Sequence, residues 1–267
     1  MSDKVEGAKA AVLTDIQNSH DERNITIDRV GVRRVKHPMR VMDRANGIQH
    51  TVGLFTLTVD LPSHFKGTHM SRFLEVLSDF GGEFGVDSIS VIVERLIERL
   101  NAKNAHLDVD FTFFISKPAP VTGKAGMMGY ECGFRAIGGE TTDLETLVTI
   151  PVTTLCPCSR EISDYGAHNQ RGYVSVAIKT NALVWIEELI DMVESRASAP
   201  LYPLLKRPDE KFVTELAYDH PRFVEDMVRE VALAFDADER ITAYRIEVEN
   251  HESIHDHNAY AMIERTK

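Results

Sequence analysis

Cysteine, long apolar runs and positive charge are all scarce in this chain. Its 267 residues include three cysteines, Cys132, Cys156 and Cys158. So few, and an odd number, do not make a disulfide framework, and a reducing cytoplasm is the expected compartment. No stretch approaches the roughly 18 apolar residues of a membrane span, and the N-terminus lacks the apolar core of a secretory signal. Lysine and arginine total 30 against 41 aspartates and glutamates, a formal net charge of −11. That balance argues against general affinity for nucleic acid or an anionic membrane, while leaving room for a local basic pocket. What is present is an ordinary soluble composition, 43% hydrophobic and 27% charged, in a chain long enough to bury a proper core.

Residues 1–24 are polar without a clear period and read as a flexible arm. Asn24 to Asp43 is rich in β-branched and basic residues. Gln49 to Pro62 alternates at Val52, Leu54, Leu57 and Val59, the pattern of a strand. A helix follows with Phe73, Leu74 and Leu77 on one side, and a second with Ile89, Val93, Leu96 and Leu100 on one stripe. "HLDVDFTFFIS" and "GYECGFRAIG" are strands, and the Pro/Gly-rich segment between them reads as a hairpin loop. The order then recurs. Strands "LETLVTIPVTT" and "RGYVSVAIKT" flank a Cys-Pro-Cys loop. Helical spacing follows at Ile186, Leu189, Ile190 and Val193, and again at Val224, Met227, Val228 and Val231. Two strands, "ITAYRIEVENHES" and "NAYAMIERT", close the chain. The expected architecture is α+β, with tandem ββαα-type units over 25–140 and 141–267, antiparallel sheets and helices on one face.

Three segments concentrate reactive residues. The first runs from Cys156 to His168. Thiolate and imidazole suit zinc and similar borderline metals, yet Cys-x-Cys followed ten residues later by His is no zinc-finger pattern. Buried apolar thiols explain the cysteines equally well. In an extended backbone Cys156 and Cys158 point to opposite faces, so one alone is expected at a shared site. The second segment is "ENHESIHDHNAY", which places His251, Glu252, His255 and His257 within seven positions. Glu252 and His255 can converge on one metal if the chain turns at Ser253, although a His-rich solvated loop reads the same way. The third, "HFKGTHMSRF", puts Lys66, His69, Ser71 and Arg72 around a predicted helix start, where backbone N–H groups attract anions such as phosphate. An ordinary N-cap with solvated neighbours is the plainer alternative. Glu210, Glu215, His220 and Glu225 pattern as charges on helix surfaces.

The segments "DIQNSHDERNITIDRVGV", "VDLPSHFKGTHMSRF", "PVTTLCPCSREISDYGAHNQR", "HPRFVEDMVRE" and "ENHESIHDHNAYA" resemble type IB GTP cyclohydrolase I over nearly the whole chain, from about Asp15 to Ala261. The resemblance implies a tunnelling fold, with sheets joined across subunits into an oligomeric barrel, of tetramers by expectation, and active sites between subunits. It implies conversion of GTP and water to formate and 7,8-dihydroneopterin triphosphate, the opening step of folate synthesis. It further implies a divalent metal (zinc, manganese or iron) held by Cys156 and His168, with Glu210, Glu252 and His255 lining or completing the site. Glu225 is implied as the guanine anchor, and Lys66, His69, Ser71 and Arg72 as triphosphate contacts. The chemistry of ring opening also calls for a second histidine, His255 or His69, as proton carrier. Two other classes stay open: a nitrile reductase-like relative using cysteine as a nucleophile with NADPH, and a non-catalytic metal- or nucleotide-binding protein. Formate release from GTP separates the first reading from both.

Overall fold

The computed structural model describes residues 15–17, 19–81, 83–84 and 86–267. A long hairpin, β1 (Ile27–Asp43) and β2 (Gly47–Leu61), leads into α1 (Met70–Phe80), the short β3 (Glu83–Phe84) and α2 (Val86–Leu100). Next come β4 (Ala105–Pro118), β5 (Ala125–Gly138) and β6 (Thr142–Leu155), then α3 (Pro157–Ile162) and β7 (Asn169–Thr180). The chain continues through α4 (Ile186–Glu194), the short β8 (Ala199–Pro200), α5 (Arg207–Asp219) and α6 (Val224–Ala237), and ends in β9 (Ile241–His251) and β10 (Ala259–Thr266). Among the described residues, no helix is long and apolar enough to cross a membrane.

All ten strands belong to one sheet, ordered β10-β9-β7-β6-β5-β4-β2-β1-β3, with β8 added against β6. The pairings are antiparallel apart from the short β1–β3 contact. The two halves of the chain meet where Glu131–Gly138 of β5 pairs with Thr142–Thr149 of β6. The expectation of tandem tunnelling-fold units with their own antiparallel sheets, assembled into a barrel, is corrected here. A recurring element order says nothing about where a sheet breaks, and the short turn between β5 and β6 lets the ladder run straight through.

One face of this sheet carries the core. Cross-strand register aligns Leu57, Leu107 and Ala136, and further along Ile150, Val174 and Val248, all of them buried. Helices cover that face with the stripes expected of amphipathic segments: Ile89, Val93 and Leu96 from α2, Leu189, Ile190 and Val193 from α4, Met227, Val228 and Val231 from α6. Two expected phases shift. In β2 the buried set is Phe55, Leu57, Val59 and Leu61, while Val52 is 58% exposed. In α1 the inward residues are Phe73, Val76 and Leu77, and Leu74 is 43% exposed. The Pro/Gly-rich loop is also shorter than expected, because β4 and β5 stay paired out to Pro118 and Ala125. Of the segment expected to be a flexible arm, 1–14 and 18 lie outside the described residues. The rest runs beside 64–67, with an isolated bridge between His20 and Phe65.

A buried ionic cluster fastens α4 to the β4–β5 hairpin. Lys117 Nζ donates to both carboxylate oxygens of Glu194, at 2.6 and 2.5 Å, and Tyr130 Oη donates to Glu194 Oε1 at 2.9 Å. Burial pulls the Lys117 ammonium below its usual range and pushes the Glu194 carboxyl and Tyr130 hydroxyl above theirs. Lys117→Met strands the carboxylate with one neutral partner. The expected cost is about 3–5 kcal/mol, read as a lower urea midpoint, with part recovered in the Lys117→Met/Glu194→Gln double variant. An unchanged midpoint in the single variant would show that the pair contributes nothing.

Candidate active site

The chain brings its proposed ligands together at one edge of the sheet. β6 and β9 run in the same direction with β7 reversed between them, so the end of β6, the start of β7 and the end of β9 share that edge. The last β6–β7 pair is Leu155 with Asn169. One step further, the Cys156 N–H donates to the His168 carbonyl at 3.1 Å, which sets those two residues opposite each other. Beyond this point the chain turns into α3, with Pro157 in its first turn and Cys156 as its N-cap. Cys156 Sγ accepts the Ser159 N–H at 3.4 Å. Ser159 Oγ donates to the Cys156 carbonyl at 3.2 Å and accepts the His168 N–H at 3.3 Å, tying the thiol to the histidine. Gly166, at φ 115°, makes the left-handed turn that returns the chain to β7.

The two cysteines separate for a different reason from the expected one. Cys158 lies inside a helix and is exposed, while Cys156 caps it and is half-buried beside His168. The extended backbone assumed for this stretch gives way to a helical turn.

The C-terminal cluster reaches the same edge. Ser253 Oγ lies 2.9 Å from His168 Nδ1, so the loop between β9 and β10 folds over the imidazole and leaves Nε2 available. Glu252 Oε2 is buried without a protein partner. His255 is exposed and stacks on His257, with ring centroids 5.1 Å apart. Thiolate, imidazole and carboxylate from one sheet edge fit a borderline divalent ion in kind. They are not gathered around a common point: among the described residues, no group of three or more His, Cys, Asp and Glu side chains is arranged to hold a metal.

Glu210 and Glu225 are both exposed and sit near this edge by virtue of their neighbours. The Arg222 N–H donates to the Leu155 carbonyl at 3.0 Å, and Arg222 Nε donates to the Arg196 carbonyl at 3.1 Å. These bonds pin the start of α6, and hence Glu225, beside the residue preceding Cys156. Asp226 accepts the Phe223 N–H at 3.0 Å and closes the first turn of α6. For Glu210 the anchor is Asp209. Its Oδ1 accepts the N–H groups of Val121 and Thr122 at 2.9 and 2.8 Å, and its Oδ2 accepts Thr122 Oγ1 and the Lys206 N–H at 2.7 and 2.9 Å. The Arg160 guanidinium stacks 4.6 Å over the Tyr218 ring and joins α3 to α5. Ser159, Asp209 and Arg222 were not singled out from the sequence, and Ser253 figured there as a turn position alone. Ser159, three residues past a cysteine and followed by a helix, carried the only local signal, a side-chain-to-backbone motif.

Lys66, His69, Ser71 and Arg72 lie elsewhere. Three antiparallel pairings separate β2 from β6, so the end of β2 falls at the edge where β6 begins. At about 3.3 Å per residue, the length of β6 puts roughly 40 Å between that edge and Cys156. There His69 Nε2 meets Asp15 Oδ2 at 3.2 Å, and Ser71 is exposed. Within one chain these residues and the Cys156–His168 pair cannot serve one small substrate.

Comparison with known proteins places this geometry. Solved structures that match in shape include urate oxidases. The uricase of Arthrobacter globiformis has a TM-score of 0.52 at 10% identity, covering 90% of this chain and 92% of that one. A urate oxidase of Bacillus sp. TB-90 has 0.54 at 8% identity, covering 90% and 100%. At such identity the likeness concerns the fold alone, and the urate oxidase architecture replaces the expected tunnelling-fold barrel. The family model described as "Type I GTP cyclohydrolase folE2" matches residues 13–261. "GTP cyclohydrolase FolE2" of Nitrosococcus oceani is 51% identical over 256 residues, 96% of each chain. Those of Methylococcus capsulatus and Kosmotoga olearia are each 52% identical, covering 96% of this chain and 96% and 99% of theirs. The chain belongs to the type I GTP cyclohydrolase FolE2 family.

Asp209 offers a test of how the edge is held. Its four accepted hydrogen bonds keep the carboxyl well below the usual carboxylate range. A depressed folded-state pKa gives stability that is present above the unfolded value, about 3.9, and is lost as pH falls below it. Asp209→Asn sets an amide N–H against Thr122 or Lys206. The variant is expected to melt below the parent at pH 7, and the gap should narrow between pH 4 and pH 3. A gap that holds constant over that range would assign the loss to packing instead.

Proposed function

We propose that this chain is a GTP cyclohydrolase, converting GTP and water to formate and 7,8-dihydroneopterin triphosphate in folate synthesis. The observation that carries the reading, beside family membership, is the backbone bond from Cys156 to His168, with Arg222 pinned to Leu155 next to it. Together they set thiol, imidazole and Glu225 at one edge. Cys156 and His168, with a carboxylate from Glu210 or Glu252, are the residues that would hold a divalent ion, zinc, manganese or iron. Such an ion supplies a water deprotonated near neutral pH, which attack on guanine C8 requires. Ser253 and Ser159 keep the two ligands facing each other. His255, on the β9–β10 loop whose Ser253 meets His168, carries protons as ring bonds break. Glu225 accepts two hydrogen bonds from the guanine edge, N1–H and the exocyclic amine, a pattern that adenine does not offer.

The triphosphate contacts, Lys66, His69, Ser71 and Arg72, belong to this reading only if a second copy of the chain supplies them. The reading therefore includes a homo-oligomer, a tetramer being the expected form, that brings the far edge of one chain to the Cys156 edge of another. It also includes a cytoplasmic location and no nucleic-acid or membrane partner. Formate assay on GTP, together with metal analysis of the purified protein, is the direct test.

Two substitutions sharpen it. Cys156→Ala is expected to abolish formate release and sharply lower bound metal, with Cys158→Ala milder. Loss of metal in the Cys158 variant alone would show the assignment reversed. Glu225→Gln replaces two acceptors with one acceptor and one donor. It should cost on the order of 2–4 kcal/mol, roughly 30- to 1,000-fold in kcat/KM, with metal content unchanged. Turnover equal to the parent would return Glu225 to the helix surface.

A further inference from the structure

Just inside the Cys156–His168 pair, on the helix-covered face, lies a group of side-chain oxygens that nothing among the described residues satisfies. Register places Thr154 opposite Gln170, and Gly172 between Val152 and Asn250. The same register carried one step on brings Glu252 alongside Gln170. Thr154 Oγ1, Gln170 Oε1, Asn250 Oδ1 and Glu252 Oε2 are each shut off from solvent without a protein hydrogen-bond partner. Six buried side-chain atoms of this kind occur among the described residues, so this small region holds most of them. Thr154 and Asn250 are 0% and 1% exposed.

Native interiors seldom leave hydroxyls and amides unpaired, because desolvation is then uncompensated. A Cβ at Gly172 would stand 2.8 Å from Asn250 Oδ1 and 3.4 Å from Thr154 Cγ2, so the two side chains meet over a residue that has none. The occupant must be small, since neither Thr154 nor Asn250 opens to solvent, and it must offer donors to three carbonyl or carboxylate oxygens. Water meets both demands: two molecules supply donors enough for the three oxygens, and one of them accepts from the Thr154 hydroxyl.

We propose that Thr154, Gln170, Asn250 and Glu252 bind ordered water, and that Thr154, Gln170 and Asn250 are positioning residues that hold a water for delivery to the Cys156–His168 edge. The delivery role rests on the GTP cyclohydrolase reading, whose reaction consumes water. The site itself does not.

The test uses Thr154→Val, which removes the hydroxyl while keeping the branched shape, with Thr154→Ser as the rescue. In crystals of the parent, a water is expected within hydrogen-bond distance of both Thr154 Oγ1 and Asn250 Oδ1, and crystals of Thr154→Val should lack it. The variant's kcat for formate release should fall roughly tenfold, the worth of one such bond, while GTP affinity stays within about twofold of the parent. Thr154→Ser should restore both. If Thr154→Val does not fold, Gln170→Leu, at a half-buried position, carries the same comparison. Crystals in which the four side chains bond one another with no water between them would overturn the proposal. So would a variant with the parent's kcat, or one that loses GTP affinity at unchanged kcat, which would mean direct substrate contact. A parent that releases no formate from GTP overturns the function and leaves the water site to be decided by the crystals.

Discussion

Everything at the candidate site depends on the register of β6, β7 and β9. Side chains alternate along a strand, so a slip of one residue would turn the whole set to the other face of the sheet. Cys156, His168, Thr154, Gln170 and Asn250 would then point away from α6, and Val148, Ile150, Val174 and Val248 would leave the core with them. Those four residues are 1% exposed or less. Burying them is worth about 1.5–3 kcal/mol each, far more than any polar contact at the edge. The chemistry is thus placed by apolar packing several residues away, and the polar groups inherit positions that they do not themselves stabilise.

The helices reach the edge by a different route. Among the described residues, neither Glu210 nor Glu225 makes a side-chain bond that fixes it there. Each is set by a neighbour bonded to other elements: Asp209 to the β4–β5 turn, Arg222 to the end of β6 and to Arg196. The division leaves the outer carboxylates free to meet a ligand while their backbones stay fixed, which is how a site can be positioned without being self-satisfied. The Lys117–Glu194–Tyr130 cluster extends the same support to α4.

Much of this was readable in the sequence, and the failures have physical causes. Strands β4 to β7, β9 and β10 and the stripes of α4 and α6 follow from period alone, because burial on one face imposes it. In β2 the phase misled, since Val52 and Leu54 are apolar on the face that turns away from the core, and periodicity records alternation without saying which face is covered. α3 escaped because six residues are too few for a period and Pro157 reads as a breaker, although it is favoured in a first helical turn. The pairing of Cys156 with His168 was anticipated as chemistry, whereas Ser159, Ser253, Asp209 and Arg222 were not. Their roles are bonds to distant backbone, which leave no local pattern. The architecture was misjudged at the junction of the halves, where a three-residue turn continues the sheet.

Strand parity bears on the proposed triphosphate contacts. The basic segment follows β2 and the thiol follows β6, and the three antiparallel pairings between those strands reverse direction an odd number of times. Their C-terminal ends must therefore lie at opposite edges, whatever the loops do. Adding or removing one strand between them would have placed both segments at the same edge. With the order as it is, a purine held near Glu225 and a triphosphate held by Lys66 and Arg72 can belong to one molecule of substrate only across a boundary between two chains, each offering the edge that the other lacks.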